Sequence, residues 1–312
     1  MSSFQPQPGM SLRIASTHYQ YVPHPIFANS VFVVEGSEAF VYQLRDPVRN
    51  TLHALKVFKP SYRGQYVAQR AIGLLAHKNV PELYLCNRIC LSKETAPELI
   101  AAYPDLEYAV FMPWVQAKTW AWLMQDQSAS AAYQPANASI LALQTVRVLQ
   151  YLEAHQLAHT DIAGSNIFLS LDLAHVQLLD LEGVYYQGAF PPPIVSRGSP
   201  GYQHRHLPNE GQYCLAGDRF AGAILLTEML TWWNPVVRAL AAEHAESLFQ
   251  PRQLQTIDHS LWQAVRATLF ILDAQILALF DQAWASSQLI ECPDFATWEQ
   301  TLKRLAPAPI TR

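Results

Sequence analysis

The sequence predicts an α+β chain built as two lobes, a small antiparallel-β lobe followed by a larger, mostly helical one. Three observations predict it. Apolar residues alternate over 31–58 with turn residues between the runs, the period of half-buried strands. From about residue 118 apolar residues recur instead at helical spacing. The 312 residues are 50% hydrophobic and 15% charged, against a usual charged share of about 25%, which is enough apolar material for two lobes around a cleft.

Residues 1–28 read as a loose, partly disordered leader: Met1 to Met10 is polar and Pro-rich and lacks a signal-type apolar core. The small lobe takes 29–112. Val31-Phe32-Val33-Val34, Phe40-Val41-Tyr42 and Leu52 to Phe58 form an antiparallel meander of three strands, turning at Gly36-Ser37 and between Asp46 and Asn50. Over 63–77 the spacing places Val67, Ala71, Leu74 and Leu75 on one side of a helix. Leu83 to Leu91 and Tyr108 to Met112 read as two more strands. Pro113 closes this lobe, and 113–117 form a hinge.

The large lobe takes 118–306, with 307–312 as a tail. Residues 118–126 and 138–156 are predicted helices, the second capped by Asn137 or Ser139. Its Ile140, Leu143, Val146, Leu149 and Leu152 lie on a nearly all-apolar segment, so it is expected to be buried. Short strands lie after Asn166 and before Asp180. A Pro/Gly loop runs from Gly183 to Gly201, and helices dominate 216–305. The richest apolar segment, Phe220 to Leu230, carries Glu228 and reads as a buried helix; no stretch reaches the roughly 18 apolar residues of a membrane span.

Net charge is −4, and the 21 basic residues form no stripe, which disfavours nucleic acid. Cys86, Cys90, Cys214 and Cys292 are scattered and complete no zinc set, so reduced, buried thiols and a cytoplasmic setting are expected. His204 and His206 lack a third metal partner and read as packing or surface histidines.

The chemistry concentrates in His159-Thr160-Asp161-Ile162-Ala163-Gly164-Ser165-Asn166, with Asp180 nineteen residues after Asp161. A carboxylate, an amide and a second carboxylate stand at the ends of short strands. Phosphoryl transfer uses such a set: one Asp orients a hydroxyl, while the Asn and the second Asp hold Mg²⁺ against phosphates. On the third strand of the meander, Lys56 sits between apolar neighbours and points the same way as Ala54. A lone strand lysine is usually a solvated edge charge; together with the Asp and Asn motifs, a lysine bridging nucleotide phosphates is the better reading here.

These motifs resemble those of the protein kinase superfamily, and of its bacterial eukaryotic-type Ser/Thr branch, from about Val31 to Leu305. Ala54-x-Lys56 is similar to the phosphate-anchoring lysine motif, His159-x-Asp161 with Asn166 to the catalytic loop, and Asp180 to the metal-binding aspartate. Gly198-Ser199-Pro200-Gly201-Tyr202 resembles the end of an activation segment, and Asp218-Arg219-Phe220-Ala221 the start of the helix whose Asp ties down the catalytic loop. The resemblance implies a bilobal protein-kinase-like fold, ATP and Mg as cofactors, and an interlobe pocket where Lys56, Asp161, Asn166 and Asp180 converge. It implies that Asp161 takes or orients the hydroxyl proton and Lys56 binds the α- and β-phosphates. Val41 and Ala54 would cover the adenine, Phe168 would underlie it, Met112 would be the gatekeeper, and the Pro113 carbonyl and Val115 amide would meet its edge.

Several positions depart from the family pattern. The phosphate-covering loop, Val34 to Val41, keeps one of three glycines, Gly36, and carries Glu38 near its tip. No Asp or Glu occurs between Asp46 and Glu82, so the helix position that normally pairs with the lysine holds Gln69 or Arg70. Glu182 supplies the missing carboxylate, adds a metal ligand, or is a solvated loop charge. Thr160 and Ala163 replace an Arg and a Lys, and His204-Arg205-His206 and Cys292-Pro293 stand where a buried Glu–Arg pair is expected. Losing both ends together avoids the roughly 3–5 kcal/mol cost of one stranded charge.

The leading expectation is an ATP/Mg-dependent kinase acting on Ser/Thr of a protein substrate, by analogy beside a cognate phosphatase, with neither nucleic acid nor membrane as partner. The alternatives are a pseudokinase that senses nucleotide or scaffolds, and a small-molecule kinase. Without the Arg at position 160, a phosphate on the activation segment has no receiver. Ser196 and Ser199 are therefore predicted not to be on-switches. A Ser196→Ala, Ser199→Ala double variant should stay active in a transfer assay, and abolished activity would refute this.

Overall fold

The structure, a computed structural model, describes residues 4–27, 29–189, 191–207, 211–241, 246–256 and 259–305. The predicted tail 307–312 and the first three leader residues lie outside the described residues. The chain divides into two compact units between Gln116 and Ala117.

The first unit is built on one antiparallel sheet. Its strands are β1 (Ser11–Ile14), β2 (Thr17–Tyr21), β3 (Val33–Glu35), β4 (Ala39–Arg45), β5 (Leu52–Phe58), β6 (Ile89–Cys90) and β7 (Val110–Pro113). They run in the order β1-β2-β4-β5-β7-β6, with β3 also paired to β4. The expected meander is present as β3-β4-β5. Alternation sends Leu44, Leu55, Val57 and Phe111 into one core and Ala39, Phe58 and Val110 into another. Helix α1 (Gln65–Leu74) packs Val67 and Ala71 into the second core, and α2 (Pro97–Ala102) sends Ile100 into the first.

Two sequence expectations are corrected here. Residues 11–21 of the supposed leader form the β1–β2 hairpin, which pairs with β4 through Gln20↔Arg45 and Tyr21↔Leu44. Leu12, Ile14, Tyr19 and Tyr21 are buried in the first core. The expected strand from Leu83 to Leu91 is instead a 3-10 turn over Pro81–Cys86, with strand only at Ile89–Cys90. Pro81 lacks the N–H a ladder needs and its fixed φ starts the turn.

The second unit begins with β8 (Lys118–Thr119), which opens the segment expected to be helical throughout. Helix α3 (Trp120–Gln125) follows, capped by Thr119 Oγ1, which accepts from Trp122 N at 3.1 Å. After α4 (Gln127–Ala132) comes α5 (Pro135–Ala154), which starts three residues earlier than predicted because Pro135 suits the first helical position. Asn137 serves it from inside the first turn, its Oδ1 accepting from Gln134 N at 3.1 Å. Then come β9 (Leu157–Ala158), β10 (Ile167–Leu169), β11 (Val176–Leu178) and β12 (Tyr185–Tyr186). β11, β10 and β8 form one small antiparallel sheet, and β12 pairs with β9. The remainder is helical: α6 (Arg219–Thr231), α7 (Pro235–Ala241), α8 (Pro251–Leu254), α9 (Ser260–Leu272), α10 (Ala274–Ala285) and α11 (Phe295–Leu302). Helix α6 is buried from Phe220 to Thr231 and packs against α5, α9 and α10. None of the described helices is long and apolar enough to cross a membrane.

A loose leader would tolerate truncation of its side chains, and a core strand would not. Leu12→Ala is therefore expected to lower unfolding stability by about 2–5 kcal/mol, read from the urea midpoint; an unchanged midpoint would restore the leader reading.

Candidate functional site

In the first unit, strand register brings four predicted residues onto one face. Val41 lies opposite Lys56, Lys56 opposite Val110, and Ala54 opposite Met112. Directly opposed residues share a face, and so do residues two apart on one strand. Val41, Ala54, Lys56 and Met112 therefore form one patch, with Ala54 and Lys56 buried. The Lys56 ammonium lies over the Phe58 ring, 5.3 Å from its centre. Pro113 pairs with His53 on the opposite face, and Val115 follows just beyond the strand. Gly36 closes the β3–β4 turn, its N–H donating to the Ala39 carbonyl at 2.8 Å. Glu35 in this hairpin pairs with Lys59 at 3.0 Å, while Glu38 is exposed.

Of the two candidates for the helix position, Gln69 is exposed and Arg70 is buried. Arg70 donates to the Tyr66 carbonyl at 3.3 Å and lies over the Tyr66 ring. The core face of α1 thus carries a cation where the family pattern has a carboxylate.

In the second unit, backbone geometry brings Asp161, Asn166 and Asp180 close together. The Asn166 amide donates to the Asp161 carbonyl at 2.8 Å and to its carboxylate at 3.4 Å. Leu179 N donates to the Asn166 carbonyl at 2.9 Å, which sets Asp180 one residue further along the same strand end. His159 joins both segments: its Nδ1 accepts from Asp161 N at 3.3 Å and its Nε2 donates to the Leu179 carbonyl at 2.5 Å. Asp180 has φ +51 and stands exposed, and Phe168 is half-buried on β10. Glu182 is buried at 7% exposure, which overturns the solvated-charge reading.

The loop is tied down from α6. Asp218 accepts from His159 N at 2.5 Å and from Thr160 N at 2.7 Å, although burial pushes its carboxyl up against those donors. Thr160 sits at φ +67, disfavoured for a β-branched residue, and its hydroxyl donates to the Gly183 carbonyl at 3.0 Å. Thr160, where the resemblance implies a phosphate-answering Arg, is thus buried and already bonded. Ser199 Oγ donates to Asp161 Oδ1 at 3.0 Å, a contact no sequence pattern announced.

A second carboxylate on α6 supports the segment from below. Glu228 accepts from Tyr202 OH at 2.7 Å, Trp120 Nε1 at 3.0 Å and Leu248 N at 2.6 Å, while Tyr202 OH accepts from Gly164 N at 3.0 Å. A Cβ on Gly164 would come within 2.9 Å of Trp120, so only glycine fits there. The sequence marked Glu228 only as a charge in an apolar helix.

The donor set suits Mg²⁺. The Asn166 amide nitrogen donates to Asp161, and its side-chain oxygen is, like the carboxylates of Asp180 and Glu182, a hard oxygen donor. Among the described residues no group of three or more His, Cys, Asp or Glu side chains is placed to hold a metal ion. Mg²⁺ is ordinarily held by one or two carboxylates together with substrate phosphates, so an ion here would need phosphate oxygens to complete its shell.

No protein-family model matches the chain. Over 125 residues, 37% of this chain and 12% of the relative, it is 32% identical to the LRR receptor-like serine/threonine-protein kinase EFR of Arabidopsis thaliana. Over 261 residues, 75% of this chain and 25% of the relative, it is 25% identical to the probable LRR receptor-like serine/threonine-protein kinase At3g47570 of the same plant. The alignments span a quarter or less of these curated relatives. The chain is thus weakly and distantly similar to Ser/Thr receptor kinases, a likeness that singles out no branch of them.

Burial pushes the Glu228 carboxyl up to about 7 from its ordinary 4.5. Between those values the folded chain keeps a proton that the unfolded chain has lost, so stability falls as pH rises through the window and levels above it. The stability of wild type relative to Glu228→Gln should therefore decline from pH 4.5 to 7 in urea titrations; a pH-independent difference would refute the shift.

Proposed function

We propose that this chain is an ATP- and Mg²⁺-dependent kinase that phosphorylates Ser or Thr hydroxyls of a protein. The observation that carries the reading is the 3.0 Å bond from the Ser199 hydroxyl to Asp161. A serine hydroxyl in that position has the heavy-atom distance a general base needs. The Asn166 amide holds the same carboxylate from the other side, and the distant similarity to Ser/Thr kinases agrees with it.

In this reading Asp161 orients the acceptor hydroxyl and takes its proton as the oxygen attacks the γ-phosphorus of ATP and the bond to ADP breaks. Asn166 and Asp180, with Glu182 as a third oxygen donor, hold Mg²⁺; when bound, the ion neutralises phosphate charge. Lys56 binds the α- and β-phosphates, and Val41, Ala54 and Met112 contact the base. Ala163 leaves the transferring phosphoryl without the usual second cation, so turnover is slow.

Purified protein with labelled ATP and Mg²⁺ should phosphorylate itself or a protein substrate. Asp161→Asn should lower that rate by about 10²–10⁴, and Lys56→Met should weaken nucleotide binding measured by calorimetry. Nucleotide binding without transfer by wild type would overturn the enzyme in favour of a pseudokinase. Label appearing in a metabolite extract and on no protein would instead mark a small-molecule kinase.

A further inference from the structure

The second unit contains a cavity of about 220 Å³ lined by Arg197, Gln203, His204, Arg205, Leu254 and Gln255. Among the described residues no acidic side chain lines it. Among the described residues neither Arg197 nor Arg205 has a carboxylate partner. Among the described residues the Nε of Arg205 is buried without a hydrogen-bond acceptor. A buried guanidinium N–H left unpaired is uncommon in folded proteins, and an ion or a water is among the partners that would satisfy it. His204 does not compete for that ion. Its Nδ1 accepts from His206 N and its Nε2 donates to Ser286 Oγ, and burial lowers its pKa, so the two arginines carry the charge.

We propose that this cavity is an oxyanion site that takes a phosphoryl or carboxylate group on the acceptor protein. Arg is the side chain best suited to either group, through paired N–H donors in one plane. The location ties the site to the acceptor. Arg197 is two residues, roughly 7 Å of extended chain, before Ser199, whose hydroxyl touches Asp161. Gln203 in the cavity wall donates to the Gly198 carbonyl at 2.6 Å, fixing wall and segment to each other. An anion seated here lies within a few residues of a hydroxyl presented to Asp161, so the chain would favour acceptors that are acidic or already phosphorylated. The anion site stands on its own geometry; its role in choosing acceptors rests on the kinase reading above.

The test uses the full chain with four probes: inorganic phosphate, and three serine peptides of one length carrying a phosphoserine, glutamates, or neutral residues near the acceptor. Phosphate binding is measured by calorimetry, and the specificity constant for each peptide in the labelled-ATP assay. Both charged peptides should exceed the neutral one, and Arg205→Gln should reduce both phosphate affinity and that preference by about tenfold. Arg197→Ala, at an exposed position, should do the same in smaller measure and guards against a folding defect in the first variant. A preference for phosphoserine alone would name phosphoryl as the ligand, and equal preference would name either anion. Phosphate binding that both variants leave intact would overturn the site. Arg-dependent phosphate binding without transfer to any peptide would sink the kinase reading and leave the site standing.

Discussion

Asp218 accepts the amides of His159 and Thr160, and the placing of Asp161, Asn166 and Asp180 follows from that anchor. Two charge-assisted bonds fix the residues just before Asp161. They also hold Thr160 at φ +67, which would otherwise relax at a gain of about 1–3 kcal/mol. With the backbone fixed there, the His159 ring has one orientation that serves both Asp161 N and the Leu179 carbonyl. One anchor thus sets two carboxylate-bearing segments. The anchor is firm because α6 is buried on all sides, so Asp218 stands on an element with no room to shift.

The same helix shows how the chain manages buried charge. Glu228 meets three donors on two oxygens, and Arg219 pairs with Glu153 at 2.6 Å while donating to the carbonyls of Ile290 and Cys292. Where the sequence suggested that an ion pair had been removed at both ends, the structure has a neutral chain. His204 Nε2 donates to Ser286 Oγ, Ser286 donates to the Ala283 carbonyl at 2.6 Å, and Cys292 Sγ lies 3.1 Å from Ser286 Oγ with only its S–H left to donate. Burial keeps both ends of this chain uncharged, the imidazole by lowering its pKa and the thiol by raising its own. No charge is stranded, so the desolvation cost that makes a half-removed pair so damaging does not arise.

The sequence made the fold's long periodic elements legible, along with the site's polar residues. It did not reveal what each polar residue touches. Strands β4 and β5 and helices α5 and α6 were predicted because each runs long enough for its period to show. The β1–β2 hairpin was missed although Leu12/Ile14 and Tyr19/Tyr21 alternate about a two-residue turn, because each run is short and Pro-rich polar residues precede them. The Leu83 region failed the other way, as a largely apolar run read as strand begins inside the 3-10 turn that Pro81 starts. At the site, Asp161, Asn166 and Asp180 were named by spacing, whereas the Ser199–Asp161 bond and the Glu228 hub join residues 38 and 20 or more apart through loops without a period.

Regulation by phosphate needs a flexible segment and a cation waiting for it. In this chain the segment is held without one: Ser199 is bonded to Asp161, Tyr202 to Glu228, and Thr160 to Gly183. Gly201 adds a steric lock, since at φ +86 and with the Phe249 carbonyl 2.5 Å from any added Cβ no side chain is admitted there. Each tie is present without modification, so an added phosphate would have to break bonds before it could make any. Arg197 and Arg205, which have no carboxylate partner among the described residues, open onto a cavity of their own. Their charge is therefore better placed to choose what the chain binds than to switch the segment on.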